Sequence, residues 1–285
     1  MWIDDLPRRI ARCADMWSLD LESPAPSNAS VVVHARDSAQ NPVTLKLLVN
    51  ASEFMAERAA LLAFGGRGSI RLIAEAPTMS ALLLERAMPG EALSTLVAAG
   101  RDDLANQAAA HVMHRLNTPA SMSHLDELTH IGSQAMATLE RYVHEFGATN
   151  GGPISGRQIA RATSLIEELQ QSEVSVVVLH ADLHHDNLLG AEREPWLAID
   201  PKGRVGDPAA ELAAFIRNPI DQLAAVADLR GLLHRRLDQF IELLGYDRDR
   251  VLGWAIGLAT VAACWQLEDQ EPDWEHWVRV ADALQ

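Results

Sequence analysis

The chain has 285 residues, which is enough for one large domain or for two lobes with separate cores. Hydrophobic residues make up 48% and charged residues 22%, proportions typical of a soluble globular protein. The net charge of −15 argues against nucleic acid as a partner, because phosphate binding needs clustered Lys and Arg, and it is compatible with a cationic small molecule.

Neither secretion nor membrane insertion is predicted. Cys13 and Cys264 lie in no motif, which favours free thiols in a reducing cytoplasm. The N-terminal MWIDDLPRR lacks the basic and apolar segments of a signal peptide. The longest apolar run, residues 251–265, is shorter than the ~20 residues of a membrane span and predicts a buried helix. We therefore expect a cytoplasmic monomer or homodimer with no membrane partner.

The first third of the chain predicts a helix, a hairpin and a second helix. Residues 1–20 have apolar side chains at helical spacing, and residues 22–30 predict a loop. Two β-rich runs, 31–35 and 43–49, are separated by a polar turn and predict a hairpin. Residues 52–64, SEFMAERAALLAF, predict a helix that ends at a glycine-rich turn.

Lys46 lies in the middle of the second strand of the predicted hairpin. Desolvating an unpaired ammonium is costly, so this lysine needs an anionic partner unless an edge strand lets its head reach solvent. Glu53 and Glu57 follow one turn apart on the same face of the next helix. Either glutamate is therefore a candidate partner.

Two β-like runs, 70–74 and 81–85, come next. Residues 91–117 predict one Ala-rich helix. Two further helices are predicted over 121–146 and 155–173, joined by a glycine-rich turn.

The densest cluster of polar side chains lies between two short apolar runs, 176–179 and 196–199. Asp182 and Asn187 are five residues apart, the interval between the Asp and the Asn of a kinase catalytic loop. Asp200 lies 18 residues after Asp182, where a proline ends the second strand. A carboxylate that accepts a hydroxyl proton, with an amide and a second carboxylate for Mg²⁺, is the set that phosphoryl transfer needs.

The loop HADLHHDN, residues 180–187, resembles the HGDLHxxN loop of the aminoglycoside phosphotransferases. The following WLAIDPKGRVGDP, residues 196–208, is similar to the streptomycin 6-kinase and hydroxyurea phosphotransferase branch of that family. The resemblance is strong over 176–219 and weaker over 43–90. Ala181 stands where the family usually has glycine, which matters if this position needs a positive φ.

The resemblance implies an α+β, protein-kinase-like fold with ATP and Mg²⁺ in a cleft between two lobes. A small lobe with a β-sheet is expected over residues 1–88 and a larger, mainly helical lobe over 89–285. Asp182 is then expected to position the acceptor hydroxyl and take its proton, while Asn187 and Asp200 hold Mg²⁺.

For the nucleotide, the resemblance implies that Lys46 holds the α- and β-phosphates and that Glu57 orients Lys46. The backbone from Glu85 to Ala87 is expected at the adenine edge. Ser27 and Ser30 are expected near the phosphates, although the segment SNAS that they bound contains no glycine.

Asp207 and Glu211 allow two interpretations. Asp207 followed by Pro208 predicts the start of a helix over 209–217, and Glu211 lies where its charge favours the helix dipole. The competing hypothesis is that both carboxylates face the acceptor and bind cationic groups. Residues 221–285 predict three or more helices.

The function expected from this resemblance is ATP-dependent phosphorylation of an aminoglycoside such as streptomycin, giving antibiotic resistance. Hydroxyurea or an unidentified metabolite is an alternative acceptor. A catalytically silent nucleotide-binding protein is a third possibility, supported only by the missing glycine-rich loop, whereas the intact Asp182, Asn187 and Asp200 argue against it. A zinc hydrolase is disfavoured, because no second ligand pair such as HxxxH or CxxC accompanies the loop.

Overall fold

The computed structural model describes residues 5–25, 30–117, 127–147 and 152–285. The N-terminal part is an antiparallel sheet flanked by two helices, α1 (Leu6–Trp17) and α2 (Ala51–Phe64). Its strands are β1 (Asp20–Ala25), β2 (Ser30–Arg36), β3 (Pro42–Leu48), β4 (Leu72–Ala76) and β5 (Ala81–Glu85). They are arranged in the order β1-β2-β3-β5-β4, so β3 is the central strand.

The predicted hairpin is confirmed as β2 and β3, which pair in antiparallel register. Side chains alternate between the two faces of β3. Leu45 and Leu47 pack on the side of α1, in a cluster with Cys13. Lys46 and Leu48 therefore lie on the opposite face, where Leu48 packs with Phe54 of α2.

The predicted loop over 22–30 is partly wrong, because β1 occupies Asp20–Ala25 and pairs with β2. This edge strand is almost entirely exposed, so it is held by backbone hydrogen bonds and has no apolar alternation to reveal it. Residues 26–29, which include the predicted phosphate contact Ser27, lie outside the described residues.

Two small sheets carry the polar loops of the C-terminal region. One has the order β10-β9-β6 and the other β7-β11-β8. Their strands are β6 (Pro89–Ala92), β7 (Thr129–His130), β8 (Val177–Leu179), β9 (Leu188–Ala191), β10 (Trp196–Ala198) and β11 (Arg204–Gly206). The two predicted strands of the polar stretch, β8 and β10, thus belong to different sheets, and the loops that follow them meet.

Helices form the rest of the C-terminal region. They are α3 (Ser94–Ala98), α4 (Asp102–Leu116), α5 (Ile131–Phe146), α6 (Gly156–Gln171), α7 (Leu212–Ile216), α8 (Ile220–Ala225), α9 (Leu229–Leu244), α10 (Arg248–Glu268) and α11 (Trp274–Ala283). The single helix predicted over 91–117 is wrong: it is divided among the end of β6, α3 and α4. Gly100, at φ +73°, separates the two helices.

The central element of this region is α10, whose Val251, Trp254 and Val261 are fully buried. Its length and hydropathy pass a test for membrane spans that the core helices of soluble proteins also pass, and 72% of its apolar window is buried inside the fold. The predicted buried helix over 251–265 is confirmed. Cys13 and Cys264 are both buried and unpaired, as predicted.

Candidate active site

A cleft of about 670 Å³ lies between the N-terminal sheet and the loops that the small sheets carry. It gathers most of the side chains singled out in the sequence. Those that line it are Ser30, Lys46, Glu57, Glu85, Ala87, Asp182, Asn187 and Asp200. Asp207 and Glu211 are absent from its walls.

Lys46 and Glu57 form a buried ion pair. The Lys46 ammonium donates to both carboxylate oxygens of Glu57, at 2.8 and 2.7 Å, and the two residues are only 5% and 2% exposed. Lys46 also contacts the Asp200 carboxylate. Burial alone would lower the pKa of Lys46, but these two carboxylates outweigh it and raise the pKa. An edge-strand lysine in solvent is therefore excluded.

The loop over residues 180–187, which carries Asp182, is held in place by His180, whose side chain is fully buried. Its Nε2 lies 2.7 Å from the Ile199 carbonyl, and its Nδ1 accepts from the Asp182 backbone N–H at 3.3 Å. Burial lowers the pKa of His180 to about 4, so the ring is neutral and donates through Nε2. The imidazole thus links the loop carrying Asp182 to the strand end carrying Asp200.

Asn187 makes the second link between these loops. Its side-chain N–H donates to the Asp182 carbonyl at 2.9 Å, and its backbone carbonyl accepts from Ile199 N–H at 2.9 Å. Asp182 keeps 30% of its side chain exposed to the cleft. The structure therefore brings Asp182, Asn187 and Asp200 to one wall.

Two residues of this wall adopt left-handed backbone conformations, Ala181 at φ +66° and Asp200 at φ +57°. A non-glycine residue in this region is strained by about 1–2 kcal/mol. The position where the sequence departs from the family's glycine is thus one that favours glycine.

Glu211 explains how the Ala181 conformation is held. Its buried carboxylate accepts the backbone N–H of His180 at 2.6 Å and that of Ala181 at 2.9 Å. Burial raises the pKa of Glu211 to about 7, although these two hydrogen bonds oppose the rise. The hypothesis that Glu211 binds the acceptor is wrong, because both oxygens face the inside of the loop.

Asp207 also has only internal partners. It caps the 3₁₀ turn Pro208–Glu211 by accepting from Ala209 N–H at 2.9 Å, and its other oxygen contacts Trp254 Nε1 at 2.8 Å and the Arg250 guanidinium. The predicted capping role is confirmed. An acceptor contact is wrong for this residue too, because it is 3% exposed. The helix predicted over 209–217 is this 3₁₀ turn followed by α7.

At the other end of the cleft, Glu85 anchors the turn between β9 and β10. Its carboxylate accepts two hydrogen bonds from Arg193, both at 2.9 Å. Arg193 also donates to the carbonyls of Gly66 and Ser69, each at 2.7 Å. Four hydrogen bonds from one guanidinium thus join this turn to the N-terminal sheet and to the segment after α2.

The donor set of the cleft fits Mg²⁺. Asn187 and Asp200 offer an amide and a carboxylate, the hard oxygen ligands that Mg²⁺ prefers, and a cleft open to solvent leaves room for its waters. Within the described ranges, no group of three or more His, Cys, Asp or Glu side chains could hold a metal, as a zinc site would require.

Two side chains near this site were missed in the sequence. Lys202 lines the cleft with its ammonium 3.1 Å from the second oxygen of Asp200. The buried Arg217 lies over Trp277, with its Cζ 5.7 Å from the ring centroid; burial lowers its pKa, and the charge of Asp182 opposes this shift. A signal for Lys202 was available, because lysine occurs only twice in the chain, at 46 and 202.

Comparison with known proteins gives the family. The model of the aminoglycoside/hydroxyurea antibiotic resistance kinases matches residues 17–270. Streptomycin 6-kinase from Streptomyces griseus is 33% identical over 94% of this chain and 85% of its own length. Hydroxyurea phosphotransferase from Kitasatospora aureofaciens is 32% identical over 99% of this chain and 80% of its own length.

Solved structures give the fold. A mutant of aminoglycoside phosphotransferase APH(4)-Ia, in complex with ADP and hygromycin B, superimposes with a TM-score of 0.65 at 15% identity, covering 96% of this chain and 95% of its own. Choline kinase LicA from Streptococcus pneumoniae gives 0.66 at 12% identity and covers 98% of both chains. The chain belongs to the aminoglycoside/hydroxyurea antibiotic resistance kinase family, and it is a phosphotransferase of protein-kinase-like fold that acts on hydroxyl acceptors.

Proposed function

We propose that this enzyme transfers the γ-phosphoryl group of ATP to a hydroxyl group of an aminoglycoside such as streptomycin, and so confers resistance. The observation that carries the proposal is the meeting of Asp182, Asn187 and Asp200 in one cleft with the buried Lys46. Identity to a streptomycin 6-kinase supports the acceptor. The net charge of −15 favours a polycation, since an acidic protein attracts cationic ligands.

The nucleotide is held from two sides. Lys46 binds the α- and β-phosphates, and Glu57 fixes the direction of its ammonium, which has little freedom because both groups are buried. Backbone groups from Glu85 to Ala87 take the adenine edge at the far end of the cleft. The carboxylate of Glu85 is engaged by Arg193, so the backbone rather than the side chain serves the base.

Asn187 and Asp200 would hold Mg²⁺, which when bound neutralises charge on the phosphate oxygens. Asn187 is suited to this role because its amide N–H is used on the Asp182 carbonyl, which leaves the amide oxygen for the metal. When it binds the metal, the Asp200 carboxylate would give up a contact with a lysine ammonium group.

Asp182 positions the acceptor. Its carboxylate accepts a hydrogen bond from the attacking hydroxyl, whose oxygen then forms a bond to the γ-phosphorus as the bond to the β-phosphate oxygen breaks. The hydroxyl proton passes to Asp182 late in this step. His180 and Glu211 act through the backbone, by holding the loop that carries Asp182.

The decisive experiment measures ADP release from ATP and Mg²⁺ with and without streptomycin, in the wild type and in Asp182→Asn. We expect streptomycin to stimulate release in the wild type and not in the variant. ATP binding without stimulation by streptomycin would refute this acceptor and leave the kinase assignment standing. Equal stimulation in Asp182→Asn would refute the role of Asp182.

Hydroxyurea is the second candidate, supported by the similarly close hydroxyurea phosphotransferase. The two acceptors differ in charge, which gives a simple way to distinguish them. The KM for a cationic acceptor rises with salt because its attraction to an acidic cleft is screened, whereas the KM for neutral hydroxyurea stays constant. A catalytically silent protein would bind ATP and turn over neither compound.

A further inference from the structure

The two lysines of this chain converge on one carboxylate. Of 24 cationic Lys and Arg side chains, 22 are arginines, and the two lysines are Lys46 and Lys202. Lys46 contacts one oxygen of Asp200, and Lys202 lies 3.1 Å from the other. Lysine is therefore used in this chain at the carboxylate expected to hold the metal and nowhere else.

The two ammonium groups differ in freedom. The Lys46 side chain is 6% exposed and is fixed by Glu57, whereas that of Lys202 is 41% exposed. Lys202 can therefore change its position in the cleft by rotating its four-carbon stem, but Lys46 cannot.

The backbone of Lys202, by contrast, is fixed. Its N–H donates to the His180 carbonyl at 2.9 Å, and its carbonyl accepts from Arg204 at 2.6 Å. The next residue, Gly203, has φ +60°, and a Cβ there would lie 2.3 Å from the Ala56 carbonyl oxygen of α2. Lys202 thus combines an anchored backbone with a mobile charged head.

The charged side chains that line the cleft indicate a role for the Lys202 ammonium. Among the lysines and arginines that line the described cleft, Lys46 is held by Glu57 and Arg86 is hydrogen-bonded to Glu22 at 2.7 Å. Within the described part of the chain, the Lys202 ammonium is hydrogen-bonded to Asp200 alone. An Asp200 carboxylate that held Mg²⁺ would no longer need Lys202 as its counterion, which would leave a cation for a new anion in the cleft that Asp182 also lines.

We propose that Lys202 binds the γ-phosphoryl group of the nucleotide and stabilises the charge that its oxygens carry during transfer. This role rests on the proposed kinase function and adds a catalytic residue to it. Lys202 donates hydrogen bonds and keeps its protons throughout. The bond changes remain those between phosphorus, the acceptor oxygen and the β-phosphate oxygen, and the acceptor proton still passes to Asp182.

The choice of lysine fits this role. An ammonium is a compact point charge with three rotatable donors, so it can follow a phosphoryl group that moves from one oxygen to another. The planar guanidinium that the chain uses everywhere else prefers one fixed bidentate geometry.

The test compares two nucleotides that differ in the γ-phosphate. In Lys202→Met, we expect the Kd for AMP-PNP with Mg²⁺ to rise about tenfold, the effect of one lost charge-assisted hydrogen bond, with the Kd for ADP unchanged. We expect kcat to fall about 10²–10³-fold, as for other lost transition-state donors. Lys202→Arg should keep most of the preference for AMP-PNP.

A matched control is Arg86→Met, which removes one positive charge from the adenine end of the same cleft. It should change the affinities for ADP and AMP-PNP by the same factor. Equal effects of Lys202→Met on the two nucleotides, or a loss selective for AMP-PNP in Arg86→Met, would overturn the proposal. The dissociation constants are measured by calorimetry in the absence of an acceptor. A wrong acceptor assignment would therefore not affect these outcomes.

Amine labelling tests the same contact in the wild-type protein. With acetylation followed by mass spectrometry, we expect the exposed Lys202 to react before the buried Lys46. AMP-PNP with Mg²⁺ should protect Lys202 more strongly than ADP with Mg²⁺. Equal protection by the two nucleotides would contradict a γ-phosphoryl contact even if the variants fail to fold.

Discussion

The loop around Asp182 has polar groups on two sides, and these groups differ in their exposure and in their hydrogen-bond partners. On the cleft side, Asp182 and Asp200 keep about a third of their side chains exposed. On the inner side, His180, Asp207 and Glu211 are buried, and each has its hydrogen bonds made within the protein. The cleft side thus has groups available for ligands, whereas the groups of the inner side serve the fold.

This difference shows that proximity in sequence is a poor guide to role. Asp200 and Asp207 are seven residues apart and both follow a short strand. Asp200 lies at the cleft and contacts two lysine ammonium groups, one fixed and one mobile. Asp207 is enclosed by an indole, a guanidinium and a backbone amide. Burial decides which carboxylate can serve chemistry.

The largest expected effect comes from exchanging these two carboxylates for amides. Asp200→Asn should lower kcat by about 10²–10³-fold, because it removes the charged ligand expected to hold Mg²⁺ on the phosphates, and should leave folding nearly intact. Asp207→Asn should instead lower the free energy of unfolding by about 3 kcal/mol, since Arg250 loses a buried anionic partner. Steady-state kinetics and urea unfolding of both variants measure the two effects.

The comparison would fail if both variants lost stability equally, or if Asp207→Asn raised the acceptor KM while remaining fully folded. Asp182→Asn is a useful reference for Asp200→Asn, because it removes a charge from the same wall without touching either lysine.

Glu57→Gln should have the next largest effect. The variant leaves Lys46 with Asp200 as its anionic partner and removes the group that fixes its direction. We expect the KM for ATP to rise about 10–100-fold, the result of losing 1.4–3 kcal/mol of phosphate binding. Glu53→Gln, one turn away at the same cleft, is the control and should change this KM little.

Glu211→Gln tests the structural role of the inner side through the pH dependence of the free energy of unfolding. The pKa of Glu211 rises from 4.5 to about 7 on folding, so its contribution to stability is complete below pH 4.5 and is lost as pH rises to about 7. This loss is about 3 kcal/mol at most. Glutamine does not titrate, so urea unfolding at pH 5 and pH 8 should show a smaller decrease with pH in the variant. An unchanged difference between the two pH values would refute the linkage.

The smallest expected effect is that of Ala181→Gly. Glycine removes the strain of φ +66°, about 1–2 kcal/mol, and costs about 0.5–1 kcal/mol of chain entropy, so a net stabilisation of up to about 1.5 kcal/mol is expected. Turnover should be nearly unchanged, because Glu211 still holds both N–H groups. A destabilised variant with lower turnover would show that the methyl group itself matters.

The sequence predicted the features that depend on strong local signals. The alternation around Lys46 gave the hairpin, and the burial of Lys46 followed from its place in an apolar strand. The interval between Asp182 and Asn187, with Asp200 at the next strand end, led to the right family. The chemistry of such a site requires particular residue types at particular intervals, and these intervals can be recognised in the sequence.

The rest depended on tertiary contacts that leave no local signal. β1 is an edge strand held by its backbone, so its polar sequence looked like a loop. The break at Gly100 was hidden by the Ala-rich pattern around it. The inward direction of Glu211 depends on a loop 30 residues earlier in the chain, and no spacing rule shows which face of a turn meets that loop.

The four hydrogen bonds of Arg193 have a consequence for access to the cleft. They join the β9–β10 turn to Glu85, Gly66 and Ser69 at the adenine end, whereas at the other end Lys46 contacts Asp200 and Gly203 packs against Ala56 of α2. A motion that preserves these bonds keeps the β9–β10 turn fixed to the N-terminal sheet, so the adenine end of the cleft keeps its width.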